Sequence, residues 1–191
     1  MSDYSAIVMG MSAGGMEVLI NIFLNLDKSF PLPVIIVQHL HPMHKSELPD
    51  ILRRYTAMEV LEASEKCVVE PGKIYLAPAD YHLLVERDAT ISLSNDEKVN
   101  YSRPSIDLLF ESAAYVWGDK LIGIIFTGAN NDGAEGIKAI KKYGGLTIAE
   151  NPDTAEYSAM PGSAVDTGCV DLIYSKEEIK LYLEKLSVDK L

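Results

Sequence analysis

The stretch Ala6–Leu26, AIVMGMSAGGMEVLINIFLNL, decides the fold. Ala6 to Met9 reads as a short buried strand, and a glycine turn follows it, Gly10-Met-Ser12-Ala-Gly14-Gly15. From about Gly14 to Leu26 the pattern becomes that of an amphipathic helix. A strand that ends on glycines and opens directly into a helix is the repeating unit of a parallel sheet. Outward from here the same unit recurs. Pro33 to Gln38, PVIIVQ, is a second strand, and Ser46 to Thr56 a helix with Pro49 in its first turn. Ser105 to Trp117 is a helix, Leu121 to Phe126 a strand, and Gly133 to Tyr143 a helix closed by Gly144-Gly145. Leu146 to Ala149 and Val170 to Ile173 are the last strands, and Ser175-x-x-Glu178 is a capping box opening the final helix.

The middle of the chain breaks this rhythm. Lys73 to Ala79, His82 to Arg87 and Thr90 to Ser94 are short strands separated by turn residues, an antiparallel meander near 73–94. The expected fold is α/β with three layers: a doubly wound, mostly parallel sheet flanked by helices, with the meander inserted beside it. No repeat, low-complexity tract or linker divides residues 1–191, so one domain is expected.

Composition excludes several classes. Apolar residues make up 48% of the 191 positions, which is a globular chain and not a disordered one. A domain of this size buries roughly 70% of its extended surface and folds without staples. The net charge of −11 argues against a nucleic-acid partner and against docking on anionic lipid. The longest apolar runs are too short to span a membrane, and the first residues carry no leader pattern, so a cytoplasmic protein without membrane insertion is expected. Cys67 and Cys169 each precede a valine and read as small buried hydrophobes in a reducing compartment, with a disulfide as the alternative.

In open sheets of this kind ligands bind beyond the carboxyl ends of the strands. Three such ends carry reactive side chains. Ser12 sits in the glycine turn after the first strand, with its hydroxyl at the sheet edge and a helix N-terminus behind it to stabilise an oxyanion. The spacing also matches the G-x-S-x-G elbow of hydrolases, although a phosphate-cradling loop or a capping serine fits as well. His39 closes the second strand, where it can act as general base. Asp132, after LIGIIF, can orient that imidazole. Asp132 with Glu135 also reads as a capping box, which would occupy one carboxylate oxygen and leave the other free. His39, His41 and His44 stand at the cadence of a binuclear zinc cluster, but the acidic position holds Met43 and only His82 remains as a further histidine. No metal and no cofactor are expected. His41 and His44 read as solvated loop residues.

Together the motifs Ser12-Ala-Gly-Gly15, Gln38-His39, Leu76-Ala-Pro78 with Asp80 and His82, Arg103-Pro-Ser105-x-Asp107, Thr127-Gly with Asn131-Asp132-Gly133, and Ala159-Met-Pro161 resemble the catalytic domain of the CheB chemotaxis methylesterases. The resemblance covers nearly the whole chain. It implies a Ser12, His39 and Asp132 triad, in an order different from that of the α/β-hydrolases. The family pattern Ser-Thr-Gly-Gly has Ala13 here in place of threonine. Its T-G-M-G-x-D-G has Ala129 and Asn130 in place of methionine and glycine. Ala13, Gly14, Ala129 and Arg103 are therefore the candidate oxyanion and substrate-binding positions, Arg103 by attracting acidic receptor segments, with a surface salt bridge as its plainer reading.

The resemblance implies hydrolysis of glutamate γ-methyl esters on the cytoplasmic helices of chemoreceptors, giving glutamate and methanol, and in some members deamidation of glutamine. The family's usual receiver domain does not fit ahead of Ser12, so a stand-alone esterase domain is expected. The alternative is a non-catalytic module that docks on receptor or methyltransferase helices, motivated by the changes at Ala13, Ala129 and Asn130. A nucleotide-binding domain fits poorly, because glycines at 10, 14 and 15 do not make G-x-G-x-x-G.

Overall fold

The computed structural model describes residues 4–24, 26–39 and 47–188. Nine strands and six α-helices are found among them. The strands are β1 (Ala6–Met11), β2 (Val34–Gln38), β3 (Glu59–Glu62), β4 (Lys73–Leu76), β5 (His82–Val85), β6 (Ile91–Ser94), β7 (Leu121–Ile125), β8 (Leu146–Glu150) and β9 (Leu172–Tyr174). The helices are α1 (Gly15–Phe23), α2 (Leu48–Leu52), α3 (Ile106–Trp117), α4 (Ala134–Lys142), α5 (Ala159–Asp166) and α6 (Lys176–Val188).

Seven strands form one sheet in the order β3-β4-β2-β1-β7-β8-β9, every pairing parallel. The chain leaves β1 toward β2 on one side and later returns to β7 on the other, so the order reverses beside β1. A crevice opens at the carboxyl ends of strands at such a reversal.

Alternate residues of each central strand serve opposite layers, because side chains in a strand point to the two faces in turn. Ile7, Met9 and Met11 of β1 pack with Val34 and Ile36 of β2 against α1, α2 and α6. Ala6 and Val8 pack with Ile35 and Val37 against α3, α4, α5 and the β5–β6 hairpin. Phe110 of α3 and Phe23 of α1 are each fully buried, one in each layer. A side chain of this size stabilises the fold by about 1.5–3 kcal/mol when buried.

Two expectations need correction, and two elements are added. The segment beginning at Lys73 belongs to no meander: β4 lies between β2 and β3 in the parallel sheet. Ile74, Tyr75 and Leu76 are all buried, as a strand covered on both faces requires. Among the strands of the described residues β5 and β6 pair antiparallel, as a separate two-stranded sheet. The edge strand β3 and helix α5 were not foreseen. The helix expected over 46–56 is only the short α2 in the described residues. The Ser175–Glu178 capping box is present in both directions, Ser175 N to Glu178 Oε2 at 2.8 Å and Glu178 N to Ser175 Oγ at 3.2 Å. Cys67 and Cys169 are free and half-buried. Among the described residues no helix is long and apolar enough to cross a membrane.

Candidate active site

The register of two neighbouring strands places the first pair. Met11 of β1 is opposite Gln38 of β2, and the next residues on each strand are Ser12 and His39. Adjacent strands lie about 4.8 Å apart, so nucleophile and base candidates start side by side. Parity then sets their direction. His39 follows the Ile35 and Val37 face, toward α3 and α4, whereas Gln38 follows Val34 and Ile36 toward α1.

Gln38 was not singled out from the sequence as a site residue, yet it holds the two backbones together. Its Nε2 donates to Ser12 O at 2.7 Å and to His39 O at 3.1 Å. Its side chain crosses directly over Gly15, where an added Cβ would lie 2.0 Å from Gln38 Oε1. Thr127 at the end of β7 completes the clamp. Its carbonyl accepts from Ser12 N at 3.0 Å, and its hydroxyl donates to Ala13 O at 3.0 Å. Buried Glu150 accepts from Thr127 N at 2.8 Å. Burial pushes the Glu150 carboxyl above its ordinary range, against the lowering effect of that bond.

His39 Nε2 lies 2.8 Å from Asp132 Oδ2, with Asp132 fully buried. The carboxylate is saturated. Oδ1 accepts from the Ser105 hydroxyl at 3.0 Å and Asp107 N at 3.1 Å, and Oδ2 also accepts from Ile106 N at 2.8 Å. Burial alone would raise this carboxyl. The bonds from His39, Ile106 N and Asp107 N outweigh it and hold the group ionised below the usual range.

This corrects the capping expectation. Asp132 does not cap the helix that follows it: the N-cap residue of α4 is Gly133, which has φ 101° and no side chain to cap with. Asp132 instead caps α3, while Asp107 in the first turn of α3 accepts from Gly133 N and Gly136 N, both at 2.8 Å, and so caps α4. Neither oxygen of Asp132 is spare.

Asn130 stands beside the imidazole. Its Oδ1 accepts from Asp132 N at 3.1 Å, and its Nδ2 is 3.3 Å from His39 Nδ1. The amide is therefore oriented with its donor toward the ring. Nδ1 accepts, and Nε2 carries the hydrogen given to Asp132. The basic lone pair of His39 is on Nδ1.

Two hollows meet at this pair. One, of about 460 Å³, is lined by Ser12, Ala13, Gly14, Gln38, His39 and Glu156 among others. The second, of about 230 Å³, is lined by Ser12, His39, Asn130, Lys98, Tyr101 and Arg103. Tyr101 is 97% exposed and holds a left-handed φ of 63°. Ala13 and Gly14 line the first hollow with Ser12, and Ala129 is exposed outside both hollows. Arg103 borders the second, but all three of its nitrogens are committed to the fold. Nε and Nη2 bond Asp80 Oδ1 at 3.0 and 2.8 Å, and Nη1 bonds the carbonyls of Asn95 and Asp96.

His82 is fully buried: Nδ1 accepts from Ser105 N, and Nε2 meets Glu97 O at 3.0 Å. It is a structural histidine beneath α3. His41 and His44 lie outside the described residues. Among the described residues no three metal-ligating side chains gather.

A family model described as CheB methylesterase matches residues 7–183. The chain belongs to the CheB methylesterase family. A relative from Leptospira interrogans, provisionally named a protein-glutamate methylesterase/protein-glutamine glutaminase, is 46% identical over 189 residues, which is 99% of this chain and 98% of that protein. A Pyrococcus horikoshii protein with the same name is 37% identical over 91% of this chain, which spans 48% of its length. The crystal structure of the Thermotoga maritima CheB methylesterase catalytic domain superposes with a TM-score of 0.90 and 34% identity, covering 96% of this chain and 98% of that one.

Proposed function

We propose that this CheB-family chain is a serine esterase that hydrolyses glutamate γ-methyl esters on the cytoplasmic helices of chemoreceptors, with deamidation of glutamine as a second activity. The observation that carries the mechanism is the buried Asp132–His39 bond of 2.8 Å beneath a hollow lined by both His39 and Ser12.

In the proposed reaction the Ser12 hydroxyl attacks the ester carbonyl. Its proton passes to Nδ1 of His39, and Asp132 holds the ring by its opposite nitrogen and stabilises the imidazolium. The carbon–methoxy bond then breaks, and the proton on Nδ1 leaves with methanol. Water attacks the glutamyl-enzyme by the same route in reverse and frees glutamate. The helix α1 begins at Gly15, directly behind Ser12, so its N-terminal end faces the developing negative charge. The substitutions at Ala13, Ala129 and Asn130 leave the His39–Asp132 pair in place, and no observation favours the docking-module alternative.

The test is methanol release from methylated receptor membranes by the natural chain and by Ser12→Ala. Release by the natural chain alone supports the proposal. Binding without release by either would establish the docking reading instead.

A further inference from the structure

We propose that the side-chain amide of Asn130 is a further catalytic group of this chain, a hydrogen-bond donor to the oxyanion formed when Ser12 attacks its substrate. The inference rests on the reading of Ser12 as nucleophile and His39 as base. It starts from the two bonds that pin the amide. Oδ1 accepts from Asp132 N at 3.1 Å, which leaves Nδ2 as the group facing His39 Nδ1 at 3.3 Å. An ionised Asp132 only accepts, so the ring hydrogen lies on Nε2 and Nδ1 receives the Asn130 donor.

Nδ2 carries two hydrogens, and the residue lines the same hollow as Ser12 and His39. In the resting site one of those hydrogens is directed at the base. When Ser12 attacks, the Oγ–carbon bond forms, the carbonyl π pair moves onto its oxygen, and the Oγ proton moves to Nδ1. Nδ1 then carries a hydrogen and stops accepting. The Asn130 donor loses its partner in the same step that creates an anionic oxygen in the hollow. A bond that strengthens on passing from ground state to transition state is the kind that raises turnover. On collapse the carbon–methoxy bond breaks, methoxide takes the proton from Nδ1, and the Asn130 donor returns to the ring.

The family pattern has glycine at this position, so the donor is a feature of this chain's own sequence. The amide also stands close enough to compete with Ser12 for the Nδ1 lone pair, and that opposite role predicts the opposite sign. An oxyanion donor removed by Asn130→Ala lowers kcat by roughly 100-fold with KM little changed. A competitor removed raises kcat.

Two assays decide between them. The first measures kcat and KM for methanol release from a γ-methylglutamyl peptide by the natural chain, Asn130→Ala and Asn130→Asp. The aspartate keeps an acceptor for Asp132 N but offers no donor, so it loses activity while preserving the turn. Melting temperatures confirm that each variant is folded. The second follows phosphonylation of Ser12 by an alkyl fluorophosphonate using intact mass. Attack on phosphorus also builds negative charge on a phosphoryl oxygen in the hollow and does not depend on the natural substrate. Both rates fall in both variants if the inference holds. In either assay in which the natural chain is active, a rate unchanged or raised in the alanine variant overturns it. If the natural chain releases no methanol but its labelling depends on Asn130, the substrate reading fails and this inference stands.

Discussion

Asp107 and Asp132 exchange helix caps: each carboxylate sits at the start of one helix and receives the N-terminal N–H groups of the other. Asp132 takes Ile106 N and Asp107 N of α3, and Asp107 takes Gly133 N and Gly136 N of α4. The two helices are thereby locked end to end, and the candidate catalytic carboxylate is part of the lock.

The two aspartates respond differently to conversion into amides. Each Asp132 oxygen receives a backbone N–H, from Asp107 on Oδ1 and from Ile106 on Oδ2, so in Asp132→Asn the new NH2 group faces a fixed donor whichever way it turns. A cost of about 2–4 kcal/mol in unfolding free energy is expected, well above that of a simple cap exchange. Asp107 concentrates its backbone donors on Oδ1, and among the described residues Oδ2 accepts from Asn100 Nδ2 at 2.9 Å, an amide that can turn over. Asp107→Asn is expected to cost about 1 kcal/mol or less. Urea denaturation of the two variants checks the contrast, and equal costs would refute it.

The pH dependence of stability follows from the same pair. Burial first, and then the nearby charges of Asp132 and Glu111, push the Asp107 carboxyl up to about 6, against the donors from Gly136 and Gly133. In the unfolded chain it titrates near 3.8. The folded state therefore holds this proton more tightly, and its contribution is full below about 3.8 and lost as pH rises through about 6. Asp132 acts in the opposite direction, since its lowered value makes a contribution that is lost only at more acidic pH. The difference between the natural curve and that of Asp107→Asn is expected to fall across this window. A flat difference would contradict the assignment.

Ser12→Ala separates chemistry from binding. Its backbone is held by Thr127 and Gln38 through main-chain atoms, so the fold is unchanged by loss of the hydroxyl. Turnover is expected to fall by about 10⁴-fold or more with receptor affinity and melting temperature unaltered.

The Gln38 clamp is tested at Gly15. A methyl group there meets Gln38 Oε1 at 2.0 Å and Met11 Cγ at 2.7 Å. Gly15→Ala is expected to cost about 1–3 kcal/mol and to lower turnover by displacing the side chain that ties Ser12 to His39. If the clamp is the cause, adding Gly15→Ala to Gln38→Ala removes little further turnover. Additive losses would mean that Gly15 acts elsewhere.

The placement of Ser12, His39 and Asp132 at one end of the sheet was legible because each follows an apolar run short enough to be a buried strand, and such strands end at one edge. The partners of Asp132 were not. Asp132 and Glu135 satisfy a local pattern, while the real donors lie 25 to 27 residues away on α3. Long-range pairing also hid the place of β4, since a four-residue strand between turns looks the same in a hairpin and in a parallel sheet. Pro161 and Gly162 disguised α5, and charged ends disguised β3. Gln38 gave only a faint signal, a polar residue closing an otherwise apolar strand.

The exchanged caps bear on how such a chain can decay. Ser12 contributes its hydroxyl to no helix cap, so a gene copy released from selection for catalysis can drift at that position and still produce a folded protein. Asp132 cannot drift in the same way, because its loss leaves Ile106 N and Asp107 N of α3, together with His39 and Ser105, without their shared partner. Retired copies of this domain are therefore expected to keep the aspartate long after the serine has gone, and the aspartate alone is poor testimony that a copy still works.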